Sequence, residues 1–343
     1  MKQHYIIGQI ETPAGIVGQV STVWTNKDLF STLKVRWSIG RMDYTVMPGL
    51  YAVGNPDKES DVYVSCNFKL SFDHLRRALH GMNGWILVLD TKGINVWCAA
   101  GKGTFGTKEL AYRIKEHQLE KVVTHKRVIV PQLGATGVSA YKIKEETGCK
   151  VVYGPVKACD IPGFVANGYK TLPEMRKIDF TLLERTKLIP VELFYAKYYL
   201  IIVPAIFLIL AGLHTKGFSV DLSWSNGGRA VINLCIAYLS GCVITPILLP
   251  LIPFKRFSLK GVVTGWLMAA LLLYFNFLST NIVEIIAWFL LIGGISSFMA
   301  MNFTGASTYT SLSGVQKEMK VFLPLQIGCV ALGSMGWIFS RFI

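Results

Sequence analysis

Apolar residues are spaced differently in the two halves of this chain. In the first half they come in short runs broken by Gly, Pro, Asp and Lys. The clearest run covers residues 85–89. It is bounded by Gly84 before it and by Asp90 and Thr91-Lys92-Gly93 after it, and predicts a buried strand. Residues 62–64, 122–123, 128–130 and 150–153 predict further strands, as do the alternating stretches 15–24 and 33–38. Phe72, Leu75 and Leu79 share one face of a helix capped by Ser71. Thr107 opens a second helix through Lys115, and residues 139–147 form a third that Gly148 stops. Met47-Pro48-Gly49 and Gly54-Asn55-Pro56-Asp57 read as turns. The alternation of strand, loop and helix predicts an α/β domain with a doubly wound, Rossmann-like sheet. The loops after Asp90, Val130 and Tyr153 then line one edge of it.

Beyond residue 193 the runs lengthen. The stretches 194–213, 230–252, 261–279, 282–301 and 321–339 each approach the roughly 20 residues that carry a helix across a bilayer. Pro204, Pro246 and Pro250 fall inside them, which membrane helices tolerate. The expected plan is an α/β domain over 1–165, a linker with a polar helix over 166–192, and an all-α transmembrane domain of five helices over 193–343. Glu284 lies near the start of its stretch and is expected at the interface. Asn233 and Asn276 are expected to bond between helices.

Charge sharpens the division. Residues 1–190 hold 26 of the 35 Lys and Arg and 17 of the 21 Asp and Glu, a net of +9. That balance suits an anionic membrane surface or an acidic partner. No basic run interleaves with aromatics, so no nucleic acid is expected. With the α/β domain inside, the segments on its side of the bilayer carry Lys255, Arg256, Lys260, Lys317 and Lys320. Those opposite carry Lys216, Arg229 and Arg341, which predicts a cytoplasmic α/β domain. Residues 1–8 hold one charge and no apolar core, so no secretory signal is expected there. The seven cysteines (66, 98, 149, 159, 235, 242 and 329) form no C-x-x-C and no zinc spacing, and an odd count argues against a disulfide framework. Iron–sulfur spacings are missing too, so no iron–sulfur cluster is expected in this chain, and electrons would come from another protein.

The candidate chemistry follows the strand at 85–89. Asn95-Val96-Trp97-Cys98-Ala99-Ala100-Gly101-Lys102 sets one thiol just past the carboxyl end of a strand, where ligands of α/β sheets gather. Ala99, Ala100 and Gly101 leave room for a large flat partner. A short helix starting near Asn95 would lower the thiol pKa through its free N–H groups and dipole. A second loop of small residues, Gly134-Ala135-Thr136-Gly137-Val138, follows the strand at 128–130. Spacing alone leaves Cys98 open between a packing thiol and a nucleophile that would need His117 or His125 as its base. Gly101, Gly103 and Gly106, with Glu120 beyond, fit a G-x-G-x-x-G dinucleotide fingerprint, yet begin well after the strand ends. A P-loop does not fit, because Val96 stands where its first Gly belongs and Gly103 replaces the Ser/Thr after Lys102.

The eight residues from Asn95 to Lys102 resemble the cap-helix motif of the HgcA family, the corrinoid proteins of mercury methylation, related to the corrinoid iron–sulfur proteins. That family joins a corrinoid-binding α/β domain to five membrane helices. The resemblance implies a corrinoid (cobalamin) cofactor bound with its own base displaced, and Cys98 thiolate as lower axial ligand of the cobalt. Asn95 and Trp97 would shape the helix over the corrin face, Gly101 and Lys102 would end it, and Val96, Ala99 and Ala100 would complete the cofactor-binding helix. Gly134, Ala135, Thr136, Gly137 and Val138 would contact the corrin or its displaced tail. The implied activity is a methyltransferase passing a methyl group from methyl-cobalt(III) corrinoid to Hg(II), giving methylmercury. Cobalt(I), regenerated by reduction with electrons from the partner, would then take the next methyl group from a folate-linked donor. The implied partner is the ferredoxin-like iron–sulfur protein HgcB, and the implied place is the cell inner membrane, multi-pass, with lipid around the helices. His74 and His80 are alternative axial ligands, although Asp73-His74 does not fit the Asp-x-His-x-x-Gly signature of the other B12-binding fold. Two other readings stand beside it: a membrane-anchored methyl carrier for another acceptor, and a dinucleotide-binding regulator of a transporter.

Overall fold

A computed structural model describes residues 4–306 and 312–343. Part of the opening segment read for a secretory signal therefore lies outside the described residues. The chain divides into two compact units. One runs to Asp179, apart from Arg36–Ser38, and the other runs from Phe180 on.

The first unit is built on a seven-stranded sheet. In chain order its strands are β1 (Ile6–Thr12), β2 (Gly15–Val20), β3 (Gly49–Val53), β4 (Val62–Cys66), β5 (Gly84–Leu89), β6 (Arg127–Val130) and β7 (Lys150–Tyr153). In space the order is β1-β2-β3-β5-β4-β6-β7. β5, β4, β6 and β7 form the parallel block that the strand–helix alternation predicts. The other edge is mixed: β3 joins β5 antiparallel, and β1 and β2 form an antiparallel hairpin beside it. A tight turn can connect only antiparallel strands, and Gly15, at φ +119°, permits it here.

Helices α1 (Asn26–Arg36), α2 (Lys69–Ala78), α3 (Val96–Lys102), α4 (Thr107–Glu116), α5 (Leu119–Val122), α6 (Ala140–Thr147) and α7 (Ile161–Ala166) cover both faces. Alternation along the strands sorts the core into two layers. Trp85, Leu87, Leu89, Val62, Val64 and Cys66 pack with Ala99, Ala100, Leu110 and Ile143. Ile86, Val88 and Tyr63 pack with Phe72, Leu75, Leu79 and Phe164. β5 is buried on both faces, which is why its sequence is apolar without a break.

Three local expectations are corrected. Residues 33–36 are helical rather than extended. Thr25 and Asp28 bond reciprocally, Thr25 N to Asp28 Oδ2 at 2.9 Å and Asp28 N to Thr25 Oγ1 at 3.4 Å, a capping box that starts α1 and overrides the alternation after it. Val122 ends the short helix α5, and only Val123 is extended. Ser71 and Thr107 do not cap: Phe68 stands at the cap of α2 and Gly106 at that of α4.

The second unit is helical: α8 (Leu182–Thr186), α9 (Ile189–Tyr195), α10 (Tyr199–Leu210), α11 (Val220–Leu239), α12 (Thr245–Leu248), α13 (Phe257–Tyr274), α14 (Ile282–Ala306) and α15 (Leu312–Phe339). A π-helical turn, Ser240–Ile244, makes α11 and α12 one continuous helix. Four helices among the described residues are long and apolar enough to cross a membrane: Val220–Leu248, Phe257–Tyr274, Ile282–Thr304 and Ser313–Phe339. The first expected span differs. α10 has 12 residues, about 18 Å of helix, and reaches a membrane's thickness only if Leu182–Tyr195 is counted with it across a 55° bend. The count is four, or five with that bent pair.

Small residues bring these helices close. A Cβ on Gly261 would lie 2.6 Å from Ser296 O, and one on Gly241 would lie 2.5 Å from the same oxygen. Glu284 is paired with Arg341 and lies 3.4 Å from Trp288 Nε1. Among the described residues neither asparagine bonds between helices: Asn233 is buried with its Oδ1 unpaired, and Asn276 is exposed in a left-handed conformation just past α13.

Candidate functional site

The carboxyl ends of β4 and β5 lie side by side, with Cys66 opposite Leu89. The residues that follow each strand build the site together. After β4 comes Asn67, buried, whose Oδ1 accepts the amide hydrogens of Thr91 and Gly93, both at 3.0 Å, and lies 2.8 Å from the Thr91 hydroxyl. Its Nδ2 donates to Asp90 Oδ1 at 3.2 Å. The Asp90 amide in turn donates to Glu109 Oε1 at 2.8 Å, and Arg113 holds that carboxylate at 2.7 Å. One side chain thus fixes the loop that leads out of β5. Nothing in the periodicity singled Asn67 out. Its place directly after a strand, beside the strand already singled out, was the available signal.

That loop delivers α3. Asn95 caps it, its Oδ1 accepting the amide hydrogen of Cys98 at 2.9 Å. Gly103, at φ +81°, ends the helix just after Lys102. Ala99 and Ala100 face the core, while Trp97 and Cys98 are half-buried and Gly101 and Lys102 exposed. Cys98 is a free thiol. Burial pushes its pKa up, and Lys102, Asn95 and Arg41 oppose that without prevailing. The lowered pKa expected from the helix start is not found. α3 is a short helix of seven residues, and the amide of Cys98 itself is already taken by Asn95.

The second predicted loop folds against the first. After β6, residues Gln132–Gly134 make a 3-10 turn. A Cβ on Gly134 would come within 2.4 Å of the Phe105 ring. One on Gly137 would lie 2.1 Å from Phe105 O and 3.1 Å from Ala100 Cα. The two glycines therefore let the loop pack against Phe105 and Ala100 on its inner side. On its outer side, however, Ala135, Thr136, Gly137 and Val138 line an open cleft of about 470 Å³, opposite Gly103, Thr107 and Lys108 and beside Ser139 and Lys142. Cys98 is not among the residues lining that cleft; the Ala100–Gly137 contact links the two.

The other candidates are not brought to Cys98. α2 packs on the opposite face of the sheet. His74, on it, lies against Trp24 at 5.2 Å, and His80, just past it, lies 3.0 Å from Thr22 Oγ1. His117 packs beside Gly49 and His125 bonds Ser60 O at 3.1 Å, so neither serves Cys98 as a base. Gly103 and Gly106 sit between two helices, not between a strand and a helix, which removes the dinucleotide fingerprint. Among the described residues no three of His, Cys, Asp and Glu converge as a metal site.

Residues 27–165 match the family model described as the CO dehydrogenase/acetyl-CoA synthase delta subunit. The chain is 32% identical over 143 residues to the acetyl-CoA decarbonylase/synthase complex subunit gamma of Archaeoglobus fulgidus, covering 40% of this chain and 30% of that protein. It is 31% identical over 117 residues to the corrinoid/iron-sulfur protein large subunit of Moorella thermoacetica, covering 34% of this chain and 26% of that one. A gamma 2 subunit from Methanosarcina thermophila is 33% identical over 119 residues, 34% of this chain and 25% of its own. The chain thus spans less than a third of the length of these relatives. The similarity is confined to the α/β unit, and one of these relatives is named as a corrinoid protein.

Proposed function

We propose that this chain is a membrane-embedded, corrinoid-dependent methyltransferase of the HgcA type, with Cys98 as the cobalt ligand and Hg(II) as the methyl acceptor. The observation that carries the reading is Cys98 itself: a free, half-buried thiol on a capped helix at the carboxyl edge of the sheet, in a unit similar to a corrinoid/iron-sulfur protein large subunit. The residues present fit such a group. The Cys98 sulfur would be the donor to the metal, Ala99 and Ala100 keep the helix flat on the core, and the cleft beside Thr136 has the volume of a bound cofactor fragment.

A bound corrinoid would supply a cobalt that can receive a methyl group and release it, with its bonding electron pair, to an electrophile such as Hg(II). The chain's own residues supply the rest. Cys98 gives up its proton to bind metal, and Lys102 and Arg41 favour the resulting thiolate electrostatically against the cost of burial. Asn95 and Asn67 hold the sulfur in one place, by capping α3 and by fixing the loop before it. Thr136 and Ser139 would offer hydroxyl groups, and Lys108 and Lys142 would offer charge beside the single acid Glu146, to a phosphate-bearing tail in the cleft. The folate-linked donor, the electron-supplying partner HgcB and placement in the inner membrane with the α/β unit cytoplasmic belong to the same proposal. They are supported by the eight-residue motif and by the long apolar helices.

The test is the visible spectrum of the full chain loaded with cobalamin, beside that of Cys98→Ala. A sulfur-ligated cobalt gives bands that the variant loses, together with loss of methyl transfer to Hg(II). Identical spectra, or full activity in Cys98→Ala, sink the assignment.

A further inference from the structure

The face of α1 turned away from the core is apolar. Leu29, Phe30 and Leu33 are 53, 60 and 54% exposed, while the buried side carries Asp28, Thr32 and Val35. The usual arrangement is inverted. Met42 and Met47, in the segment that follows, are 73 and 69% exposed. Such a face on a soluble surface marks a contact. Its rim is mainly basic: Lys27 and Lys34 are exposed on the same helix, against one exposed acid, Asp43, beside Met42, and the Lys34 ammonium lies 4.7 Å from the centre of the Phe30 ring. The one acid on α1, Asp28, points inward and is paired with Lys69 and Arg76.

From this we infer that α1 rests on an anionic lipid surface, its leucines and phenylalanine in the headgroup boundary and its lysines on the lipid phosphates. This rests on the second unit spanning a membrane. Charge decides between lipid and protein. Lysine is depleted where proteins meet, but at a bilayer it lays its stem along apolar groups and its ammonium on phosphate. A chain with four helices long and apolar enough to cross a bilayer also keeps one always within reach.

The experiment places an environment-sensitive fluorescent amino acid at position 30 of the full chain, and in a second protein at the exposed position 141 of α6. Both are reconstituted in vesicles of phosphatidylcholine with or without phosphatidylglycerol, carrying acyl-brominated lipid as quencher. Position 30 should be quenched roughly twofold or more beyond position 141, and more strongly with phosphatidylglycerol. Lys27→Glu with Lys34→Glu should remove the phosphatidylglycerol effect. Equal quenching at the two positions overturns the inference, as does a label at 30 that is shielded yet unquenched, or shielded only on adding cobalamin. Alkaline carbonate extraction separates the premise: release from the vesicles means the second unit does not span, while retention without quenching at 30 condemns the α1 contact alone.

Discussion

Asn67 Oδ1 and the amide of Gly93 meet at 3.0 Å, tying the end of β4 to the loop that leaves β5. The same oxygen holds the Thr91 amide, so Asn67→Ala strands two buried donors. The expected cost is about 2–4 kcal/mol, read as a lower melting temperature of the purified chain. Corrinoid affinity should fall with it, since α3 is no longer fixed from below. An unchanged melting temperature would show that the loop stands without this clamp.

Two glycines near the site should respond differently to alanine. At Gly137 the new methyl meets Phe105 O and Ala100 Cα, both backbone, so the loop must move away from α3, at a cost of about 1–3 kcal/mol or more. At Gly103 nothing lies within reach and only the left-handed backbone resists, costing about 1–2 kcal/mol. Corrinoid binding should suffer in Gly137→Ala well beyond what Gly103→Ala causes. Equal binding losses would mean that the loop and the cap helix act separately.

The Cys98 thiol titrates above the ordinary thiol range because burial outweighs the pull of Lys102, Asn95 and Arg41. An acid whose folded pKa is raised keeps its proton longer in the native state. Its stabilising contribution is complete below the unfolded thiol pKa and is lost as pH climbs through the folded value. Alkaline melting curves of Cys98→Ala should therefore fall less steeply than those of the parent. Sulfur ligation releases that proton, so corrinoid affinity should rise about tenfold per pH unit below the thiol pKa. A pH-independent affinity would contradict ligation by sulfur.

Arg76 contacts Asp28 and Asp73, both at 2.8 Å, in a buried cluster with Lys69. Burial opposes ionisation of Asp28, but Thr25, His4, Arg76 and Lys69 together hold its carboxyl well below the usual range. Removing the guanidinium in Arg76→Ala leaves two acids facing one lysine, and about 3–5 kcal/mol should be lost. Because the Asp28 pKa is depressed, the parent keeps this contribution above the unfolded carboxylate pKa and loses it as pH falls through the lower folded value. Thermal melts at neutral and acid pH check both statements.

The central strands were legible because burial on both faces writes an unbroken apolar run, as at Ile86, Leu87 and Val88. α6 was legible because Ser139 and Gly148 mark its ends with side-chain and backbone chemistry of their own. α1 was hidden because its apolar residues face outward, so no inward stripe betrays it and a Thr25–Asp28 box alone starts it. Of the site, the Cys98 helix could be read from its cap and its terminal glycine. Asn67 could not, since its partners come from another strand and only strand order brings them together. The thiol's titration was misjudged for a related reason: a helix start is local and visible in sequence, while the burial that outweighs it is tertiary.

Gly137 leans on Ala100, and Ala100 stands two residues along α3 from Cys98. Whatever lodges against the Thr136 loop and whatever takes the sulfur thus press on opposite ends of one stiff wedge. A coupling of their binding energies is expected from this contact, and reciprocity would make it equal in either order of arrival. A detached cofactor tail and its own metal centre would each recruit the other, so a fragment offering only one of them should be held far less firmly than the intact molecule.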